Sequence, residues 1–342
     1  MHMADALLSP AVGLSMNVVS VAAIGAAVAK VKTDELSEKK IPIMGVAGAM
    51  VFAAQMINFT IPATGSSGHI GGGILLAGLL GGVPAFLSIA AVLIIQCLFF
   101  ADGGLLALGC NIFNLGVIPC LLVYPLVFKP FMKGEIEYKR LSAASIVSVV
   151  IGLELGAFCV VLQTLLSGIT LLPFGTFTAL MLPIHLAIGL VEGVVTAAVL
   201  CFIFKMRPEI IVSAQSRQRL VGVSTKKVVV VLASLAIVAG GALSLFASAN
   251  PDGLEWAVGK IAKQDSGAGV DFEVGSGIID AAAKAQENTA FLPDYNFAND
   301  PENAAGTSLA GIVGAVSAFA LAGMSGLIIS KVKKSKRAAA NV

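Results

Sequence analysis

Charge is what this sequence has least of: Asp, Glu, Lys and Arg together make up 12% of its 342 residues, about half the share usual in soluble domains. With 57% apolar residues and a mean hydropathy of +0.93, the chain does not read as a soluble globular domain. Its net charge of +2 builds no basic surface, and no nucleic-acid partner is expected. Cysteine is scarce too: Cys97, Cys110, Cys120, Cys159 and Cys201 all lie in apolar stretches without a Cys-x-x-Cys pair, which reads as packing rather than a thiolate or disulfide site. No phosphate-binding loop is present, since the only Gly-Lys pair, Gly259-Lys260, is followed by Ile and the motif requires GxxxxGK[ST]. ATP-driven work would therefore need a partner. The alternation of a transmembrane barrel is missing. No Lys or Arg precedes the first apolar run, so the basic start of a cleavable leader is absent and the N-terminus is expected to persist.

What the chain has instead is long apolar runs of the length a spanning helix needs. They predict an all-α polytopic membrane bundle of about nine transmembrane helices, at about 12–30, 41–58, 70–82, 84–100, 105–128, 141–165, 179–204, 228–248 and 307–330. Nine crossings with the N-terminus outside and the C-terminus inside put nineteen of the 22 basic residues in the cytoplasm, as the positive-inside rule requires. The other three, Lys260, Lys263 and Lys284, fall in an outer loop at about 250–305, beside ten acids. That loop reads as solvated, with a weak cation funnel as the sharper alternative. Three units follow: a seven-helix core at 1–205, a basic cytoplasmic linker at 206–227, and a two-helix module at 228–342.

Chemistry concentrates at the start, Met1-His2-Met3-Ala4-Asp5. A free Met1 amine, the His2 amide nitrogen and the His2 ring can close a five-membered and a six-membered chelate ring on one metal ion, and square-planar nitrogen coordination favours Ni²⁺ or Cu²⁺. The bulky His2 should protect Met1 from trimming. Only two other His exist, His69 and His185. His69, in Gly68-His69-Ile70-Gly71-Gly72-Gly73, is a candidate fourth ligand, since irregular backbone at membrane depth lines a cavity or is buried in protein. His185 precedes Glu192 by seven residues on one helical face; it reads as an outer partner orienting a ligand, or as paired with Glu192. Asp102, Asn111 and Asn114 are further outer partners. Asp5 is placed to accept hydrogen bonds that pin the N-terminal turn. Glu154, Gln96 and Gln163 read as ordinary interhelical hydrogen-bonding groups.

These residues resemble the nickel/cobalt substrate-binding subunits of energy-coupling-factor transporters, the CbiM/NikM type. The resemblance rests on Met1-His2-Met3-Ala4-Asp5 with Ser9-Pro10, on Gly68 to Gly73, on Phe100-Ala101-Asp102-Gly103-Gly104 with Leu105 to Gly109, on Asn111-Ile112-Phe113-Asn114 and on His185 to Gly193. It covers about residues 1–205. The family start is often Met-His-Ile-Pro-Asp-Gly, where this chain has Met3, Ala4 and Ala6; the chelating atoms belong to residues 1 and 2. The last third resembles the two-span accessory subunit of the same systems, through Pro251-Asp252-Gly253-Leu254-Glu255 and Leu292-Pro293-Asp294-Tyr295. The resemblance implies Ni²⁺ or Co²⁺ as transported substrate, held by the Met1 amine, the His2 amide and ring, and His69. It also implies a membrane coupling subunit and two cytoplasmic ATPases as partners, in a prokaryotic cytoplasmic membrane. The chain is expected not to be an enzyme. A self-sufficient divalent-cation permease using Glu192 and Glu154, or a non-transporting metal sensor or structural protein, are the rival readings.

Overall fold

A computed structural model describes residues 2–32, 35–170, 172–221, 224–264, 277–300 and 303–340. Met1 lies outside the described residues, as do Asp265, Asp271, Glu273 and Glu302 of the acidic loop. The elements in order are α1 (Pro10–Lys30), α2 (Lys40–Gln55), β1 (Phe59–Ile61), β2 (Ser66–Gly68), α3 (Gly73–Leu80), α4 (Gly82–Phe100), α5 (Leu108–Phe131), α6 (Tyr138–Ser167), α7 (Phe174–Met206), α8 (Pro208–Ser216), α9 (Lys226–Gly241), α10 (Gly253–Gln264), α11 (Gly277–Thr289) and α12 (Ala304–Ala340). Six helices among the described residues are long and apolar enough to cross a membrane: α1, α4, α5, α6, α7 and α12. The α2 and α9 helices are 16 residues each.

Local chemistry explains several boundaries. Ser9 caps α1 by accepting from Val12 N at 3.4 Å, and Pro10 occupies its first turn, where a missing N–H costs nothing. The middle of α5, Phe113–Phe128, is wound to a wider i→i+5 pitch and contains Pro119 and Pro125, neither of which can donate to a helical ladder.

The predicted helix at 70–82 is corrected: only Gly73–Leu80 is helical. Eight residues make about 12 Å of helix, too little for a crossing. The part before it is instead an extended, buried glycine segment. Gly72 sits at φ +77°, a left-handed conformation that suits glycine and that a helix could not continue. At its far end α3 reaches Gly81, which abuts the Ala214 carbonyl of α8. That end of the molecule is tied by Arg217, whose guanidinium donates to both Glu35 oxygens at 2.8 and 3.1 Å, and by Lys40 Nζ donating to Ser213 O at 3.0 Å.

Two other expectations change. The 206–227 segment is not all linker: α8 buries Ile210, Ile211 and Ala214 against α3, because three apolar side chains at i, i+1 and i+4 make one stripe. The loop at 250–305 is not simply solvated either. Its α10 buries Leu254, Ala257 and Ile261 against α7. The helices α9 and α12 pack chiefly on α2, so the C-terminal module is joined to the core through these two helices.

Candidate metal centre

The N-terminal tail is a buried plug. Met3, Leu7 and Leu8 are enclosed, and the tail is held by the segment that follows α4. Met3 N donates to Asn111 Oδ1 at 2.8 Å, and Asn111 Nδ2 donates back to Met3 O at 3.2 Å. Gly104 N donates to Met3 O at 3.0 Å, and Asp5 Oδ1 accepts from Ala107 N at 2.9 Å. Asn114 touches Met3 Sδ at 3.9 Å while exchanging hydrogen bonds with Gln163 at 2.9 and 3.1 Å. A side chain at Gly104 would put Cβ 1.8 Å from Asp5 Oδ1 and 2.5 Å from Asp5 N. Gly104→Ala is therefore expected to dislodge the tail while leaving the helices in place. Faster hydrogen exchange at the Met3 amide would register this; unchanged protection would contradict it.

The tail delivers His2 to His69. Their rings lie 5.2 Å apart between centroids and stack with planes 12° apart, close enough for nitrogens of both to reach one ion. His2 Nδ1 lies 3.3 Å from Asp102 Oδ1. His2 Nε2 and Gln96 Oε1 are neighbours, both buried without a well-formed hydrogen bond. Burial pulls the His2 ring down to about 3, so it is neutral and carries a lone pair at physiological pH. His69 Nδ1 faces Ile70 O at 3.1 Å; donating there presents Nε2 as the lone-pair nitrogen, the arrangement usual for a ligating His.

The glycine segment after His69 is fixed from two sides. Both Glu192 oxygens accept backbone N–H groups, from Gly71 and Gly72, at 2.8 Å each. Gln55 Nε2 donates to Gly71 O at 2.8 Å, and Gln55 Oε1 accepts from Gln96 Nε2 at 2.9 Å. Glu192 is thus an anchor for extended backbone that α3 cannot satisfy. Of the two readings of His185, pairing with Glu192 is not found: His185 Nδ1 bonds Met181 O at 2.8 Å, because a turn of its own helix offers the nearer acceptor. His185 Nε2 remains buried without a partner.

The C-terminal module covers this end. Ser67 N donates to Pro251 O at 2.8 Å and Ser67 Oγ to Asn250 O at 2.7 Å; Ser67 and Asp252 form a parallel bridge two residues before His69. The charge of Asp252 acts on His2, His69 and His185. Asp252 Oδ1 accepts from Leu254 N and Glu255 N at 2.8 and 2.9 Å, while Glu255 Oε2 accepts from Asp252 N at 3.3 Å. Asp252-Gly-Leu-Glu255 is thus a capping box starting α10, a spacing legible in sequence that pointed to a helix where a loop was expected. On the other side Gln286 Nε2 donates to Gly103 O at 2.6 Å, Leu292 N donates to Phe99 O at 3.2 Å, and the Tyr295 hydroxyl donates to Asp102 Oδ2. Nothing in the sequence marked Tyr295 or Gln286 as neighbours of the site.

Among the described residues no group of three His, Cys, Asp or Glu side chains is arranged to hold a metal. The arrangement brings His2 and His69 together with Asp102 and Asp252 around them. The five cysteines are free.

Residues 2–210 match the family described as the cobalt uptake substrate-specific transmembrane region, CbiM, and residues 226–331 match the PDGLE domain. A protein of Archaeoglobus fulgidus named "Putative fused nickel transport protein NikMN" is 34% identical over 62% of this chain and 68% of its own length. The fused nickel transport protein NikMN of Rhodobacter capsulatus is 28% identical over 62% of this chain and 64% of its own. A solved structure described as that of a transition metal transporter has a TM-score of 0.53 and 27% identity, covering 64% of this chain and all of that one.

Proposed function

The chain belongs to the CbiM family of cobalt-uptake substrate-specific transmembrane regions, with a PDGLE domain following in the same polypeptide, and from that premise we propose that it captures Ni²⁺ or Co²⁺ outside the cell for import. It is a multi-pass membrane protein and a component of metal transport. The observation that carries the finer reading is the approach of His2 and His69 with near-parallel rings, on a tail and a glycine segment that are each held by several hydrogen bonds.

In this reading the metal takes the Met1 amine, the His2 amide nitrogen, which gives up its proton to solvent on binding, His2 Nδ1 and His69 Nε2. Binding at Nδ1 forces the ring hydrogen onto Nε2, where buried Gln96 Oε1 lacks a partner. Asp102, beside Nδ1, offsets the charge of the cation. Small hydrogen-bonding differences around such a set decide between metals of similar affinity. Nine crossings with the N-terminus outside are retained in modified form, the third made of the extended segment plus α3. The membrane coupling subunit and two ATPases supply the driving energy. Glu192, with both oxygens engaged by amides, is an anchor rather than an ion shuttle, which argues against the self-sufficient permease.

The test is the metal content and absorption of the purified chain: a yellow, diamagnetic Ni²⁺ species is expected, and an octahedral spectrum would remove the square-planar site. Uptake in cells lacking the partner ATPases should be absent; uptake that persists would restore the permease. Glu192→Gln places an amide N–H against one of the glycine amides, and it is expected to weaken Ni²⁺ binding about 10-fold, as loss of an outer partner does. Because Glu192 and His185 have separate partners, combining Glu192→Gln with His185→Ala should multiply their effects. A double variant no worse than either single one would put them back in one network.

A further inference from the structure

Two parts of the C-terminal module grip two different parts of the site. Asn250 to Asp252 extend the strand that leads to His69, and Gln286 to Tyr295 hold the Phe99–Gly103 turn against which His2 rests. Within the second contact, Tyr295 has features that packing alone does not require. Its ring lies 4.9 Å from Phe100 at 15° and 6.1 Å from Phe52 edge-on, while its hydroxyl reaches Asp102 Oδ2 and the other Asp102 oxygen faces His2 Nδ1. The backbone there is strained: Asp294 and Tyr295 are consecutive non-glycine residues at φ +49° and +59°. Such a turn persists only where surrounding contacts hold it, and here those contacts bring the phenol to the carboxylate.

Resting on the metal-site reading above, we propose that Tyr295 is a positioning residue for the bound metal. Its hydroxyl occupies one oxygen of Asp102 and locks the carboxylate in one orientation beside His2 Nδ1, so that the accessory module sets the surroundings of a ligand contributed by the core. An Asp102 released from this hold can turn a hard oxygen toward the ion. Oxygen donors pull a site away from square-planar nitrogen coordination. Tyr295 thereby protects the geometry that distinguishes Ni²⁺ from ions content with oxygen ligands.

The experiment uses the full chain in detergent and Ni²⁺ alone as probe. Tyr295→Phe keeps the ring on Phe100 and removes only the hydroxyl. Its metal-free thermal unfolding should match the unaltered chain. Its affinity for Ni²⁺ should fall about 10-fold or more, in the range of a lost outer partner, and the diamagnetic absorption should give way in part to a paramagnetic species. Since Tyr295 acts through Asp102, Tyr295→Phe made in an Asp102→Asn background should cause no further loss. Tyr138→Phe, at a tyrosine outside the site, should bind as the unaltered chain does. Unchanged affinity and spectrum in Tyr295→Phe, or losses from the two variants that multiply, would overturn the proposal while leaving the metal site standing. Failure of the unaltered chain to bind Ni²⁺ would overturn the metal-site reading and this one with it.

Discussion

Adding two residues before Met1 is expected to abolish high-affinity Ni²⁺ or Co²⁺ binding while every side chain stays in place. In the proposed site the first ligand is a free amine. An extension moves it by roughly 3.3 to 3.6 Å per extended residue and leaves an amide in its place, a weak donor unless it loses a proton. The tail also has no slack. Met3 is held through both its backbone groups by Asn111 and Gly104, so the chain cannot slide outward to present a new amine at the old position. The loss should exceed the roughly 10- to 100-fold typical of an outer partner, and the same extension after Val342 should change nothing. Bound metal in native, N-extended and C-extended proteins of equal monodispersity is the measurement; full occupancy of the N-extended form would falsify the chelate.

His69→Ala should come next in size. It removes the proposed fourth nitrogen and leaves three donors from residues 1 and 2 with water in the last position. Folding should survive, because Glu192, Gln55 and Ser67 hold the segment around His69 through its backbone. Uptake should be lost and titration should show strongly weakened Ni²⁺ binding in a monodisperse protein. Wild-type affinity in that variant would remove His69 from the ligand set. His185→Ala, by contrast, should weaken binding less, since the ring is held by Met181 O within its own helix.

How much of this was legible beforehand differs by element. The long apolar runs announced α1, α4, α5, α6, α7 and α12, since each must bury or expose to lipid more apolar surface than a soluble fold tolerates. The run at 70–82 misled because hydropathy records composition and is blind to backbone conformation. Gly71 and Gly72 satisfy their amides on Glu192, 120 residues and more away, and no local pattern reveals that. The segment at 250–305 read as solvated because its charges were counted without their spacing; Asp252 and Glu255 spend their carboxylates capping α10.

The division has a physical reason. Sequence by itself determined the membrane class and marked the start as a candidate chelate, because hydropathy is a sum over a run and the two proposed chelate rings would close through covalent bonds within adjacent residues. It also singled out His69, one of only three His, since a rare residue in a glycine segment stands out without a partner. Only the tertiary structure decided what surrounds those rings. Asp102 meets His2 across 100 residues, Glu192 holds the His69 segment from α7, and Asp252 and Tyr295 arrive from the C-terminal module. Each of these contacts depends on how helices pack, and packing is set by side chains far apart in the chain meeting at once.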